Sequence, residues 1–114
     1  MITDEKRAFR RVKRKFTVRY NFQGPDGAKG KSVSENISLG GVYFISLMKM
    51  NIGDILECDI EMLSCDGHGR FLARVVRCES LNNNMVDTFG IAVEFTKAFG
   101  DSRKKLEKAL SSSV

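Results

Sequence analysis

A period of two runs through most of this chain, and it leaves few folds open. In "FTVRYNF", Phe16, Val18, Tyr20 and Phe22 fall on one side, with Thr17, Arg19 and Asn21 on the other. In "ILECDIEML", Leu56, Cys58, Ile60 and Met62 alternate with Glu57, Asp59 and Glu61, and "FGIAVEF" sets Phe89, Ile91, Val93 and Phe95 on one face. Such alternation marks strands that bury one face. "KSVSENI", "VYFIS" and "RFLARVVRCES" bring the expected strands to six; the last is apolar on both faces, so it is expected to be central or bent. Between them lie the turn "GPDGAKG", the turn "NIGD", a hairpin connection "SCDGHG" centred on Asp66-Gly67, and a polar loop "LNNNMVDT". Only the tail changes period. "GDSRKKLEKALSS" has good helix formers, Asp101 or Ser102 to cap its start, and Leu106 and Leu110 four apart, which predicts one short helix docked on the sheet. The expected fold is all-β with a short C-terminal α-helix, its six strands curled into a closed or nearly closed antiparallel barrel. Closure also removes the exposed edges that a strand-rich chain must manage.

At 114 residues the chain supports a single domain with a modest core. It divides into a basic arm, residues 1–15, and a barrel with its helix, residues 16–114. No apolar run approaches the ~18 residues of a membrane helix. The N-terminal "MITDEKRAFRRVKRK" lacks the apolar stretch of a signal peptide, so a cytoplasmic location without membrane insertion is expected. Cys58, Cys65 and Cys78 are an odd set, best read as reduced thiols. With His68 they would make four zinc ligands, but they lack a close Cys-x-x-Cys pair. Two core cysteines and two turn residues are expected instead, with no metal and no cofactor.

Catalysis finds little support. His68 falls in an expected turn without a nucleophile beside it, and Glu57, Asp59 and Glu61 read as the wet face of a strand. Neither Gly-x-x-x-x-Gly-Lys nor Gly-x-Gly-x-x-Gly occurs. A barrel of this kind is expected to bind, not to act as an enzyme. The net charge of +5 is concentrated in one segment. Residues 6–19 hold Lys6, Arg7, Arg10, Arg11, Lys13, Arg14, Lys15 and Arg19 without an acid, and the remainder is slightly acidic. So dense a basic segment attracts phosphates.

Two constellations could complete such a site. In "RRVKR", Arg10 and Arg14 stand four apart just before the first strand. A guanidinium makes paired hydrogen bonds to a phosphate or to the O6 and N7 edge of guanine, and it stacks on purines. In "ENISLGGVYF", Asn36 and Ser38 share one side of an extended segment, where Asn offers donor and acceptor and Ser either. Gly40 and Gly41 are expected to let the backbone turn sharply and approach a ligand.

Each motif alone is common; the two in this order, about twenty residues apart and flanking the first strands of a small barrel, are specific. Here the chain resembles the PilZ domain family. Arg10-x-x-x-Arg14 and Asn36-x-Ser38-x-x-Gly41 carry the resemblance, with support from "VYFIS", "IGDILECDI", "ARVVR" and "FGIAVEF" over roughly residues 7 to 97. The resemblance implies a six-stranded barrel with a terminal helix that binds the bacterial second messenger cyclic di-GMP. It implies that Arg10 and Arg14 clamp the ligand from the arm, with help from Arg11, while Asn36 and Ser38 form the platform and Gly41 shapes the turn. Arg7-x-x-x-Arg11 also fits the spacing, but Arg14 stands at the better distance from the strand. Since the chain ends soon after the helix, the expectation is a stand-alone receptor that orders its arm on binding and presents a changed surface to a downstream protein partner.

Two other readings stay open on the sequence. One is a basic barrel that binds nucleic acid, with Phe16, Tyr20 and Phe22 stacking on bases; their strict alternation points to the core instead, so nucleic acid is not the expected partner. The other is a PilZ-like interaction module that binds no nucleotide, against which both intact motifs speak.

Overall fold

The computed structural model describes residues 15–22, 29–62, 67–83 and 86–111. Six strands and one helix follow in chain order: β1 (Thr17–Phe22), β2 (Lys29–Ser38), β3 (Gly41–Ser46), β4 (Ile55–Met62), β5 (Gly67–Asn83), β6 (Val86–Ala98) and α1 (Ser102–Ser111). They close into a barrel in the order β1-β2-β3-β6-β5-β4, with every neighbouring pair antiparallel.

The alternation sorts residues as expected. Phe16, Val18, Tyr20, Leu56, Cys58, Ile60, Met62, Ile91 and Val93 are all buried, and Phe22, Phe89 and Phe95 pack against them. Each fully buried large side chain contributes about 2–3 kcal/mol of transfer free energy. Tyr20 carries a hydroxyl into this interior and places it 3.0 Å from Ser46 Oγ, so the polar atom is not stranded.

Closing six short strands needs sharp bends, and register shifts supply them. In β2 the shift falls between Ser34 and Asn36, so the N-terminal half pairs with β1 and the C-terminal half with β3. In β5 shifts fall at Leu72/Ala73 and Val75/Arg77. The apolar residues on both faces of "RFLARVVRCES" are thus those of a bent strand. The "NIGD" turn forms as expected: Asn51 N donates to Asp54 Oδ2 at 2.8 Å, and Gly53 takes φ 98°, a conformation that suits glycine.

Two expectations need correction. Gly67, His68 and Gly69 belong to β5, paired with Met62, Glu61 and Ile60, so His68 is a strand residue and not a turn residue. Most of "LNNNMVDT" is strand as well: β5 runs to Asn83 and β6 starts at Val86, extending the hairpin beyond the barrel. Cys65 lies outside the described residues.

Helix α1 starts where Lys105 N bonds to Asp101 O, which makes Asp101 the capping position. The Ser102 hydroxyl accepts from Arg70 N at 2.8 Å and donates to Phe99 O, tying the helix start to β5. Leu106 and Ala109 are buried and Leu110 packs beside them, which fixes the helix on the barrel. No helix among the described residues is long and apolar enough to cross a membrane.

Candidate functional site

The site grows from the bend in β2. Phe16 N donates to Ser34 Oγ at 2.8 Å, and Ser34 N donates to Phe16 O at 2.8 Å. Beside this clasp, Lys15 Nζ lies 3.4 Å from Glu35 Oε1. The chain thus enters β1 alongside Ser34 and Glu35, immediately before Asn36. Past this point β2 pairs with β3 and not with β1.

Ile37 points into the core at 1% exposure, so its neighbours Asn36 and Ser38 face outward together, as the extended segment predicts. Asn36 is half-buried. Ser38 is 9% exposed, and its Oγ accepts from Gly40 N at 3.0 Å, which holds the hydroxyl in place while leaving its hydrogen to donate.

Gly41 is also required by packing within the barrel. Its φ is not in the left-handed region, and a Cβ there would lie 2.0 Å from Val93 O, so glycine lets β3 approach the backbone of β6 closely. Gly40 O accepts from Phe95 N at 2.8 Å, which fastens the same corner to β6.

Strand register extends the platform into two outward rows. One runs Ser38, Gly41, Glu94, Arg74; the other runs Asn36, Tyr43, Ala92, Arg77. Tyr43 drapes over Gly90, where a Cβ would lie 2.0 Å from its hydroxyl oxygen, and donates to Glu79 Oε2 at 2.9 Å. The Arg77 guanidinium sits 5.6 Å from the Tyr43 ring centre, a cation–π distance. Desolvation, then the bond to Glu79, pushes the Tyr43 phenol above its ordinary value. Sequence reasoning passed over this cluster; its one signal was the outward position of an aromatic residue between Val42 and Phe44.

The acids around the platform are already engaged. Glu35 faces Lys15, Glu94 pairs with Arg74, and Glu79 accepts from Tyr43. An anion approaching Asn36 and Ser38 meets carboxylates whose charge is locally offset.

The structure therefore brings together Asn36, Ser38 and Gly41. Arg10, Arg11 and Arg14, the other half of the expected site, lie outside the described residues. Phe16 and Tyr20 are buried and Phe22 packs on the core, so these aromatics do not form an outer surface for stacking bases. Cys58 is likewise sealed in: burial, with a smaller effect from Glu57, pushes its thiol up to about 12, far from the range of a reactive cysteine.

Comparison with known families matches residues 5–112 to the PilZ domain. No curated protein matches the chain. Several solved structures share the fold. The PilZ domain of YcgR from Escherichia coli, solved with c-di-GMP, aligns with a TM-score of 0.71 at 13% identity, covering 95% of this chain and 91% of that one. The Bacillus subtilis inhibitor of motility MotI/DgrA gives 0.69 at 16% identity, covering 95% and 53%. MrkH of K. pneumonia in its apo state gives 0.73 at 16% identity, covering 94% and 50%. The chain thus spans about half the length of the MotI/DgrA and MrkH chains.

Proposed function

This chain belongs to the PilZ domain family, and from that premise we propose that it is a non-catalytic receptor for cyclic di-GMP, working in the cytoplasm. Asn36 and Ser38 are the platform for guanine and phosphate, Arg10 and Arg14 are the clamp, and Arg11 assists. The observation that carries the reading is the clasp of Lys15 and Phe16 onto Glu35 and Ser34. Arg14 is the residue before Lys15, so the chain leaves the barrel beside Asn36, where an arm must start if it is to close on this platform.

The chemistry matches. The ligand carries two phosphate charges and two guanines, and the arm and platform offer guanidinium, amide and hydroxyl groups. A hydrogen bond to a charged partner contributes roughly 1.5–3 kcal/mol. Loss of one arginine then weakens binding about tenfold to a hundredfold. Ligand binding orders the arm, and the reshaped surface is what a downstream protein reads. Solution of YcgR's PilZ domain with c-di-GMP supports the ligand class, as does the intact pair of motifs here.

Calorimetric titration with cyclic di-GMP, beside Arg14→Ala and Ser38→Ala and with GMP as control, tests the site. Saturable binding that both substitutions weaken is the expected result. A folded wild-type protein that takes up no ligand overturns the reading. Amide exchange over residues 6–14 tests the switch: slowing on binding is expected, and unchanged exchange removes it.

A further inference from the structure

The row that begins at the platform ends on an ion pair. Ser38 stands opposite Gly41, Gly41 opposite Glu94 and Glu94 opposite Arg74, all on the outer face. Gly41 contributes no side chain, and a Cβ there would lie 3.1 Å from Glu94 Cα. Nothing from β3 therefore stands between Ser38 and Glu94 in this row. Their backbones are two strand spacings apart, about 10 Å, a span that suits a purine with hydrogen bonds at both ends.

Glu94 and Arg74 are bonded through Oε2 and Nη2. Among the described residues, Oε1 and the other guanidinium N–H groups make no hydrogen bond, and the Arg74 and Glu94 side chains are 51% and 43% exposed. The pair thus presents an edge of fixed polarity, an N–H donor from Arg74 beside carboxylate acceptors from Glu94. Guanine carries the complement on its Watson–Crick edge, where O6 accepts and N1–H and the 2-amino group donate. Adenine reverses the pattern, with a donor at N6 and an acceptor at N1. Asn36 has one acceptor oxygen for the two guanine donors, so a carboxylate is what the platform lacks. Arg74 offsets the charge of Glu94, which would otherwise repel the ligand's phosphates.

We propose, resting on the cyclic di-GMP reading, that the Arg74–Glu94 pair is the element that selects guanine. One guanine lies over Gly41, with Arg74 donating to O6 and Glu94 accepting from N1–H and the 2-amino group.

Calorimetric titration of the full chain with cyclic di-GMP, cyclic di-IMP and cyclic di-AMP tests this in wild type, Glu94→Gln and Arg74→Ala, each checked for folding by circular dichroism. Hypoxanthine keeps O6 and N1–H and lacks only the 2-amino group, so the ratio of the first two affinities isolates the contact to Glu94. The wild type is expected to prefer cyclic di-GMP over cyclic di-IMP about tenfold or more, and Glu94→Gln to reduce that ratio about tenfold. Arg74→Ala is expected to narrow the preference over cyclic di-AMP by about tenfold. A merely structural role weakens all three ligands alike and leaves the ratios unmoved. A wild type that binds cyclic di-GMP, with either ratio unmoved by its folded variant, overturns the inference and leaves the receptor reading standing. A folded wild type that binds none of the three ligands removes the receptor reading itself, and the inference with it.

Discussion

Two outer faces of the barrel carry opposite kinds of chemistry. On the β1–β4–β5 face, cations and acids are interleaved across the strands: Arg19 bonds to Glu61, Arg70 to Glu57 and His68 to Asp59. This face also has a groove of about 500 Å³, lined by Arg19, Lys29, Lys31, Glu57, Asp59 and Arg70 among others. On the β2–β3–β6 face, Asn36 and Ser38 present an amide and a hydroxyl beside the paired charges of Lys15–Glu35 and Arg74–Glu94. The first face is dominated by charges paired with one another, the second by neutral hydrogen-bonding groups between ion pairs. On the proposed reading the hollow is not the ligand site, and the platform is half of a site that the arm completes.

The sharpest way to break the contrast is to destroy the platform's support. Gly41→Ala would drive a Cβ to within 2.0 Å of Val93 O, a backbone atom that moves only if β3 and β6 part. Overpacking of this kind costs about 3 kcal/mol, at the upper end of such effects. Thermal unfolding should show the loss, and cyclic di-GMP binding should fall with it. A melting curve unchanged by Gly41→Ala would mean that the β3–β6 contact is not as tight as this geometry requires.

Asn36→Ala separates binding from folding. Asn36 is half-buried on the outer face, so its truncation should leave the melting temperature nearly unchanged and weaken cyclic di-GMP about tenfold or more in a titration. Equal affinity in wild type and variant would remove Asn36 from the platform. Loss of stability without loss of affinity would make it a structural residue of the β2 bend.

What the sequence disclosed follows the same division. The period of two placed the core well, because in a closed barrel each inward residue has one destination; Leu56, Cys58, Ile60 and Met62 are all buried. The Asn36 and Ser38 pair was legible for the same reason, flanking an inward Ile37. The reason for Gly41 was not, since it depends on Val93, which is far along the chain and adjacent only once β3 and β6 pair. Gly67-His68-Gly69 imitates a turn, yet Gly69 answers to packing: a Cβ there would lie 2.5 Å from Met62 Cε. At the end of the β5–β6 hairpin, Leu81, Asn82 and Asn83 pair with Thr88, Asp87 and Val86 through the backbone, while the polar run in "LNNNMVDT" offers no apolar alternation to read. The arginine motif is plain in sequence, but its residues lie outside those the structure describes.

Tyr43 joins the two faces through Glu79 and Arg77 on β5, and Tyr43→Phe isolates that link. Loss of its bond to Glu79 should cost about 0.5–1 kcal/mol. The pH dependence has a defined sign. A phenol whose folded pKa is raised contributes fully below its ordinary value of 10.0 and loses that contribution as pH rises through the folded value. Cys58, raised from 9.0 to about 12, acts in the same direction over the window between those values. Melts at stepped alkaline pH should therefore fall for the wild type and fall less for Tyr43→Phe. Identical alkaline profiles would leave Cys58 as the dominant group and Tyr43 as a bystander.

The smallest expected effect lies on the self-paired face. Arg19 and Glu61 approach to 3.0 Å, with side chains 45% and 28% exposed, so solvent screens most of their attraction. Pairs of this kind contribute about 0.2–1 kcal/mol. Arg19→Ala should lower stability by no more than that and should leave cyclic di-GMP affinity unchanged. Raised salt should shrink the stability difference between wild type and variant, because it screens the one interaction removed. The two readouts discriminate. An affinity loss comparable to that of Asn36→Ala would make the groove part of the ligand site, and the division of labour between the faces would fail. An unchanged affinity beside a small, salt-sensitive change in stability would confine Arg19 to the fold, as the Glu61 partner and the interleaved charges around it require.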